Sequence, residues 1–250
     1  MKRLLSSLIG LVAVCSLAFA QGANAFGEGL AEKNSVYFGD YFEVSGLSYI
    51  GVGLSIPHNL GGSSDFTDHT NMFRNNEFFF NVVELQARPF DGGVISLGAD
   101  LSWEYYRLKK SHYWSAELNN TKADVHEIGV DIKSVRKSQL SVMTFSFPLS
   151  FEYNLGSFSF RAGAAAELNL NGIVRFRGEG MDGSNISENT SGKRYSNHIS
   201  TNLFTYSLFA SASYGGLGVY TRFRPTAQFA PGYGPCVNTF TVGIVMGLGM

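Results

Sequence analysis

Two alternations run through this 250-residue chain. Inside eight segments, approximately 41–55, 76–88, 94–108, 139–153, 157–172, 201–214, 217–226 and 238–249, apolar and polar residues take turns with period two. That period places successive side chains on opposite faces of a strand. Between the segments, short and long connections also take turns. "PFDGG" (89–93), "NLGS" (154–157) and Gly215-Gly216 are short and carry the glycine chemistry of hairpin turns. The connections 56–75, 109–138, 173–200 and 227–237 are long. Strands joined by tight turns at one rim and long loops at the other make an up-and-down barrel. The expected fold is all-β: an eight-stranded antiparallel up-and-down transmembrane β-barrel with a side-chain-filled lumen.

Alternation alone does not say which face is inside. In 94–108, Ile95, Leu97, Ala99, Leu101, Trp103 and Tyr105 oppose Ser96, Gly98, Asp100, Ser102, Glu104 and Tyr106. In 157–170, Phe158, Phe160, Ala162, Ala164, Ala166, Leu168 and Leu170 oppose a face that carries Arg161 and Glu167. From the third segment on, the apolar faces hold no charge, and the polar faces are mostly Gly, Ser, Ala and Thr. A solvated exterior carries many Lys and Glu, whereas a narrow lumen requires small residues. The expectation is therefore apolar outside, polar inside, as in a membrane barrel. Trp103, Tyr105, Tyr153, Phe158, Phe204, Tyr206 and Tyr214 fall near the ends of apolar faces, where interfacial girdles form. A soluble ligand-binding barrel, apolar inside, is the opposing reading. The first two segments are less regular: Phe79, Val83, Leu85 and Ala87 share one face, with Asn81 on the wrong side, which suggests a bulge or a different register.

"TFSFPLSFEY" (144–153) alternates cleanly but carries Pro148 in its middle. Proline is confined to strand edges or bulges, and a closed barrel has no edge. Pro148 predicts a bulge or a missing ladder bond on the lumen side, its freed carbonyl met by water or a polar side chain.

Residues 1–25 read as a secretory signal peptide: Lys2 and Arg3, an apolar run from Leu4 to Ala20, and small-residue cleavage sites ending at Ala20 and Ala25. Residues 26–250 then form a single barrel domain. An uncleaved anchor, or lipidation at Cys15, is the alternative. Without Lys2 and Arg3 the chain has 17 basic and 20 acidic residues, a net charge of −3. With no basic tract, nucleic-acid binding is not expected. No run of about 18 apolar residues follows the leader, so no membrane helix is expected.

"FPLSFEYNLGSFSFRAGAAAELNL" (147–170), "YGGLGVYTRFRPTAQF" (214–229) and "FTVGIVMGLGM" (240–250) resemble the outer-membrane β-barrel domain family of Bacteroidota, the PorT-like small barrels. The resemblance implies an outer membrane of a Gram-negative bacterium, a leader and a small barrel. Met250 stands where many outer-membrane barrels end on an aromatic.

Projected inward, the polar faces supply Glu43, Glu84, Asp100, Glu104, Glu152 and Glu167, with Arg88, Arg161, Arg222 and Arg224. Confined charges must pair, so these are expected to form a lumen charge network, with Glu152 in reach of Arg161 across the 154–157 turn. A proton or cation path is the alternative. No catalytic residue, metal ligand or cofactor is expected. His58, His69, His112, His126 and His198 lie in or beside the long connections, and Asp124-His126-Glu127 is a loose cluster. Gly178, Gly180 and Gly183 match G-x-G-x-x-G, but no helix follows, so a flexible loop is expected. Asp65, Asp68 and His69, or Asp182 and Glu188, fit no cation-binding spacing. The expected role is structural or interactive, through long extracellular loops and without an open pore. The N-terminus is expected in the periplasm. Expected partners are outer-membrane lipid and lipopolysaccharide and an unidentified extracellular or envelope protein, with the barrel itself a monomer. A lipid-modifying enzyme and a small-solute channel are the other readings.

Overall fold

The computed structural model describes residues 35–38, 42–58, 74–109, 111–117, 122–128, 132–189 and 199–247. The leader 1–25, His69, His198, Asp65, Asp68 and Met250 lie outside the described residues.

Three hairpins build most of the wall. β4 (Asn76–Phe90) and β5 (Gly93–Arg107) meet at Asp91-Gly92, β8 (Ile132–Leu155) and β9 (Phe158–Gly180) at Gly156-Ser157, and β11 (Phe204–Tyr214) and β12 (Leu217–Arg224) at Gly215-Gly216. The last turn has φ of 54° and 83° at its two glycines, the left-handed pair that a tight hairpin requires. β13 (Asn238–Gly247) pairs with β12 on one side and β3 (Tyr49–His58) on the other, and β3 pairs with β4. β5 pairs with β8, and β9 with β11. The ring closes as β3-β4-β5-β8-β9-β11-β12-β13, eight antiparallel strands. Closure leaves no wall strand with a free edge along the paired region, which is what a β-structure needs where water is absent.

The first stave is broken. β2 (Phe42–Gly46) and β3 both pair with β4, separated by Leu47 at φ 53° and Ser48. The break faces a bulge in β4 between Asn81 and Val83, and the Leu47 N–H donates to the Val82 carbonyl at 3.4 Å. The extra residue reverses the facing of β4. Glu77, Phe79 and Asn81 are buried before the bulge, and Glu84 after it. Phe79, expected outside with Val83 and Leu85, therefore points into the lumen. β1 (Ser35–Phe38) covers the other edge of β2, where the described pairing of β13 with β3 has ended at Gly247.

The long connections differ most from expectation. β8 begins at Ile132 and β9 runs on to Gly180, so much of 109–138 and 173–200 is strand. β10 (Asn185–Asn189) adds to the edge of β9, and β6 (His112–Glu117) with β7 (Lys122–Glu127) forms a separate two-stranded sheet. In this upper tier the facing code inverts. Val174 and Phe176 are buried within, and Arg177 is exposed outside. The phase of β9 shifts at an irregularity between Asn169 and Asn171, opposite Thr144 and Met143, so the buried positions change from odd to even there. The G-x-G-x-x-G stretch lies in the β9–β10 hairpin, with Gly183 at φ 81° in its turn, rather than in a flexible loop.

Candidate functional site

The inward face is a stack of three layers. At the loop end, Tyr106, Leu108, Trp114, Leu140, Val174 and Phe229 belong to one buried apolar cluster. Trp114 fixes the β6–β7 sheet to the wall as a lid: its indole N–H donates to the Tyr106 carbonyl at 3.2 Å, and its backbone N–H to Ser138 Oγ at 2.7 Å. Below lies a charged layer, and at the turn end an open cup.

The charged layer centres on Arg224. Its Nε lies 3.0 and 2.8 Å from the two oxygens of Glu167, its Nη2 lies 2.9 Å from Glu77 Oε1, and its Nη1 meets Glu104. Arg222 pairs with Glu77 from the next inward position of β12. Thr205 and Ser207 donate to Glu167 at 3.1 and 2.7 Å, Tyr220 donates to Glu77 at 3.2 Å, and the Tyr106 hydroxyl donates to Glu104. Glu77, Glu104, Glu167, Arg222 and Arg224 are all buried. In such a place charge is tolerable only when paired and hydrogen-bonded on most sides. Five strands contribute to this cluster, so it ties the ring across its diameter as well as around its wall.

Glu77 is the member that the sequence concealed. It shares odd parity with Phe79, and only the bulge at Val82 makes that parity inward. A hydrophobic run "FFF" beside it disguised the inward face further.

Nearer the turn end, Asp100 accepts from Tyr49 Oη at 2.9 Å and from Asn81 Nδ2 at 2.9 Å. Arg161 pairs with Glu84 and donates to Ser150 at 2.8 Å and Ser96 at 3.1 Å. The expected Arg161–Glu152 pair is not formed. The two are direct cross-strand neighbours, yet the guanidinium turns across the lumen to Glu84. Its plane also lies over the Tyr49 ring, 4.8 Å from the centroid, and Arg222 lies 4.6 Å from that of Phe79, so both cations gain aromatic contacts. Arg88 and Glu43 pair at 2.8 Å, with Arg88 half exposed.

Glu43, Arg88, Glu84, Arg161 and Tyr49 line a cup of about 380 Å³ that runs from Gly216 and Gly247 at the turn end to Asp100 and Arg222. The lumen is therefore filled unevenly: packed from the Glu77–Arg224 layer to the loop end, hollow at the turn end. Glu152 sits on the wall of this cup.

Pro148 is buried and faces the lumen. The β5–β8 ladder keeps its register there but skips the positions of Gly98 and Ala99 opposite Pro148 and Phe147. It is a missing rung rather than a bulge in β8. The Asn81 amide points at the gap, 3.5 Å from the Ala99 carbonyl and 3.2 Å from that of Val83.

Outside, the seven aromatics named from the sequence fall at two levels. Tyr153, Phe158 and Tyr214 lie beside the turns. Phe204 and Tyr206 on β11, and Trp103 and Tyr105 on β5, lie toward the loop end, where Trp103 stacks with Phe80.

Among the described residues the histidines named from the sequence stand apart from one another or on the lid strands. His58 ends β3, while His112 and His126 lie on β6 and β7, where His126 contacts the Tyr113 ring at 5.5 Å. Partial burial opposes ionisation of Asp124. Lys122 at 2.7 Å and the Val125 N–H outweigh it, holding the carboxyl below the usual carboxylate range. Asp182 is likewise held low by the Ser184 hydroxyl at 2.6 Å and N–H at 2.9 Å, a turn contact rather than a cation site. Among the described residues, no three His, Cys, Asp or Glu side chains are grouped to hold a metal.

No family model matches the chain, and no curated protein matches it. A solved structure to which it is similar is that of Ail, the attachment invasion locus protein of Yersinia pestis, in complex with the heparin analogue sucrose octasulfate. The identity is 11%, the TM-score 0.33, and the alignment covers 82% of this chain and 95% of that one.

Proposed function

We propose that this protein is an integral barrel of a bacterial outer membrane, closed to solute flow, with its turn end in the periplasm and its upper tier presented outside as an interaction surface. The observation that carries the reading is on the outer wall. Each of the eight staves exposes a large apolar side chain between the two aromatic levels: Val52, Leu85, Leu97, Leu149, Phe160, Leu208, Val219 and Ile244 are 43–60% exposed. Monomeric soluble proteins rarely expose contiguous apolar patches beyond a few hundred Å², and here the apolar surface encircles the molecule. Phe204 and Tyr214 stand ten positions apart on β11. That is about 34 Å along the strand and about 24 Å after a tilt of ~45°, the height of a lipid-facing band.

The three-layer lumen supports the absence of a pore. The Arg224 layer and the Trp114 lid both lie across the axis, so the cup at the turn end is blind. We propose as well that it is one of the small outer-membrane barrels of Bacteroidota that its sequence resembles. The upper tier, rather than the lumen, is then the functional face, and a surface partner is its expected occupant.

Fractionation and gel mobility with and without heating test the membrane reading. The expected result is recovery with outer-membrane material and a shift on boiling. Recovery with periplasmic contents overturns it. In planar bilayers the pure protein is expected to give no steady conductance, and stable nanosiemens channels would overturn the closed lumen. Protease shaving of intact cells is expected to cut the upper tier first.

A further inference from the structure

One half of the upper tier carries a row of cations on its outer wall. On β5, Arg107 is the next outward position after Trp103 and Tyr105. Its cross-strand neighbour is Gln139, and that of Gln139 is Arg175 on β9. One pleat higher, Lys137 pairs with Arg177. Arg74 stands two residues before β4, next to this row. Among the described residues none of these five cations makes an ion pair. The acidic side chain on the same outer face of β9, Glu179, is tied to Lys133 at 3.0 Å. The strand beyond, β10, sets Ser187 beside Arg177 and Asn189 beside Arg175, so its cross-strand partners there are neutral. On the opposite half of the rim the connection 225–237 contains no Lys or Arg.

The height of this band is its informative property. Arg107 lies about 7 Å above Tyr105, one two-residue repeat of a strand. An aromatic level marks where hydrocarbon gives way to headgroups. Cations on the lipid-facing side of the wall, just beyond that level, stand among headgroups rather than in open solvent. Like charges so close together repel one another, and an anion between them removes the cost. Arginine is suited to this place because its planar fork binds phosphate through two parallel hydrogen bonds.

We propose that the outer wall of β5, β8 and β9, through Arg107, Lys137, Arg175 and Arg177, is a binding site for the phosphates of a phosphorylated glycolipid headgroup in the surrounding leaflet. It rests on the membrane reading above and makes it specific: one side of the barrel selects its lipid.

The test uses the full mature barrel in discs of neutral phospholipid doped with bis-phosphorylated lipid A or with its dephosphorylated form. The protein is extracted in mild detergent, and the retained lipid A is counted by mass spectrometry. Retention of the phosphorylated form is expected to exceed that of the other about tenfold or more, and to fall as salt is raised. The variant Arg107→Gln/Lys137→Gln/Arg175→Gln/Arg177→Gln is expected to lose the preference while keeping its heat-dependent mobility, and single Arg175→Gln and Arg177→Gln variants to lose part of it. Arg→Lys at the three arginines is expected to keep most of it. Equal retention of the two lipids, or an unchanged preference in the quadruple variant, overturns the proposal. So does a lipid-indifferent barrel that instead binds a soluble sulfated polysaccharide through the same residues. A protein that fails to enter the discs overturns the membrane reading and this proposal with it.

Discussion

Gly98 and Pro148 face each other across the one gap in the β5–β8 ladder. A Cβ built on Gly98 would stand 3.1 Å from Pro148 Cγ and 3.2 Å from Asn81 Nδ2. The proline ring occupies the space that a side chain on the opposing strand would need, and Asn81 fills the rest. The absence of a donor on one strand and of a side chain on the other are one arrangement: the ring enters the lumen where the ladder is interrupted, and Asn81 supplies hydrogen bonds to the carbonyls nearby.

Gly98→Val is therefore expected to destabilise the barrel by about 1–3 kcal/mol through overpacking. Pro148→Ala in the same background is expected to recover part of that loss, because the two contacts share one space. Urea unfolding in lipid vesicles, followed by gel mobility, measures both changes, and a double-mutant cycle measures their coupling. Additive effects would show that the two residues do not share the space.

The sequence made the wall legible because a lipid-facing strand repeats one instruction, apolar out and small polar in, along its whole length. Gly215-Gly216 and the other short turns supplied the order of the hairpins. Two departures were hidden for a shared reason. At Val82 a single extra residue reverses the parity of β4, so Glu77 reads as an outer residue; Asn81 on the apolar face signals an irregularity but does not say which side of it changes facing. In β9 the irregularity opposite Met143 and Thr144 shifts the phase in the same way, so Ile173, Arg175 and Arg177 come to the outside and stop looking like a barrel face although the strand continues. The period of a strand is written in the sequence, but the origin of the count and the medium outside are set by the fold. The turn of Arg161 away from Glu152, its neighbour, to Glu84 is decided by the shape of the lumen in the same way.

The seam that closes the ring depends on a pair of glycines. Gly243 and Gly53 are register partners of β13 and β3. A Cβ on Gly243 would stand 2.2 Å from the Val52 carbonyl oxygen and 2.6 Å from Tyr220 Cε1. Both neighbours are fixed, one as backbone and the other by its bond to Glu77. Gly243→Val is expected to prevent closure, giving a protein whose mobility no longer depends on heating. Ile244→Leu, one residue away on the outer face, is expected to leave the shift intact.

The lid sheet should weaken in acid. Asp124 on β7 has its carboxyl held below the ordinary range, chiefly because Lys122 and the Val125 N–H outweigh its partial burial. A depressed folded value means that the carboxylate stabilises the sheet in full above the unfolded value, near pH 4, and that the contribution fades as pH falls through the folded value. The pair is about a third exposed, so the effect is at most about 1 kcal/mol. The protection factors of the β6–β7 amides, which are corrected for the intrinsic exchange rate at each pH, are expected to fall below pH 4 in the wild type, and Asp124→Asn is expected to show lower protection at pH 7 and to lose the pH dependence.

Arg224 is the residue on which the charged layer turns, because it alone meets Glu77, Glu104 and Glu167. Removing it leaves three buried carboxylates with Arg222 beside only one of them. Breaking a buried pair from one side costs about 3–5 kcal/mol, since the partner charge stays behind without compensation. Arg224→Met is thus expected to lower the unfolding midpoint sharply or to abolish folding. The triple variant Arg224→Met/Glu104→Gln/Glu167→Gln removes the stranded charges with their partner and leaves Arg222 with Glu77. It is expected to regain most of the lost stability, which separates the cost of unpaired charge from the loss of packing. If the triple variant is no more stable than Arg224→Met, the side chain acts as filler, and the charge pairing of this layer contributes little.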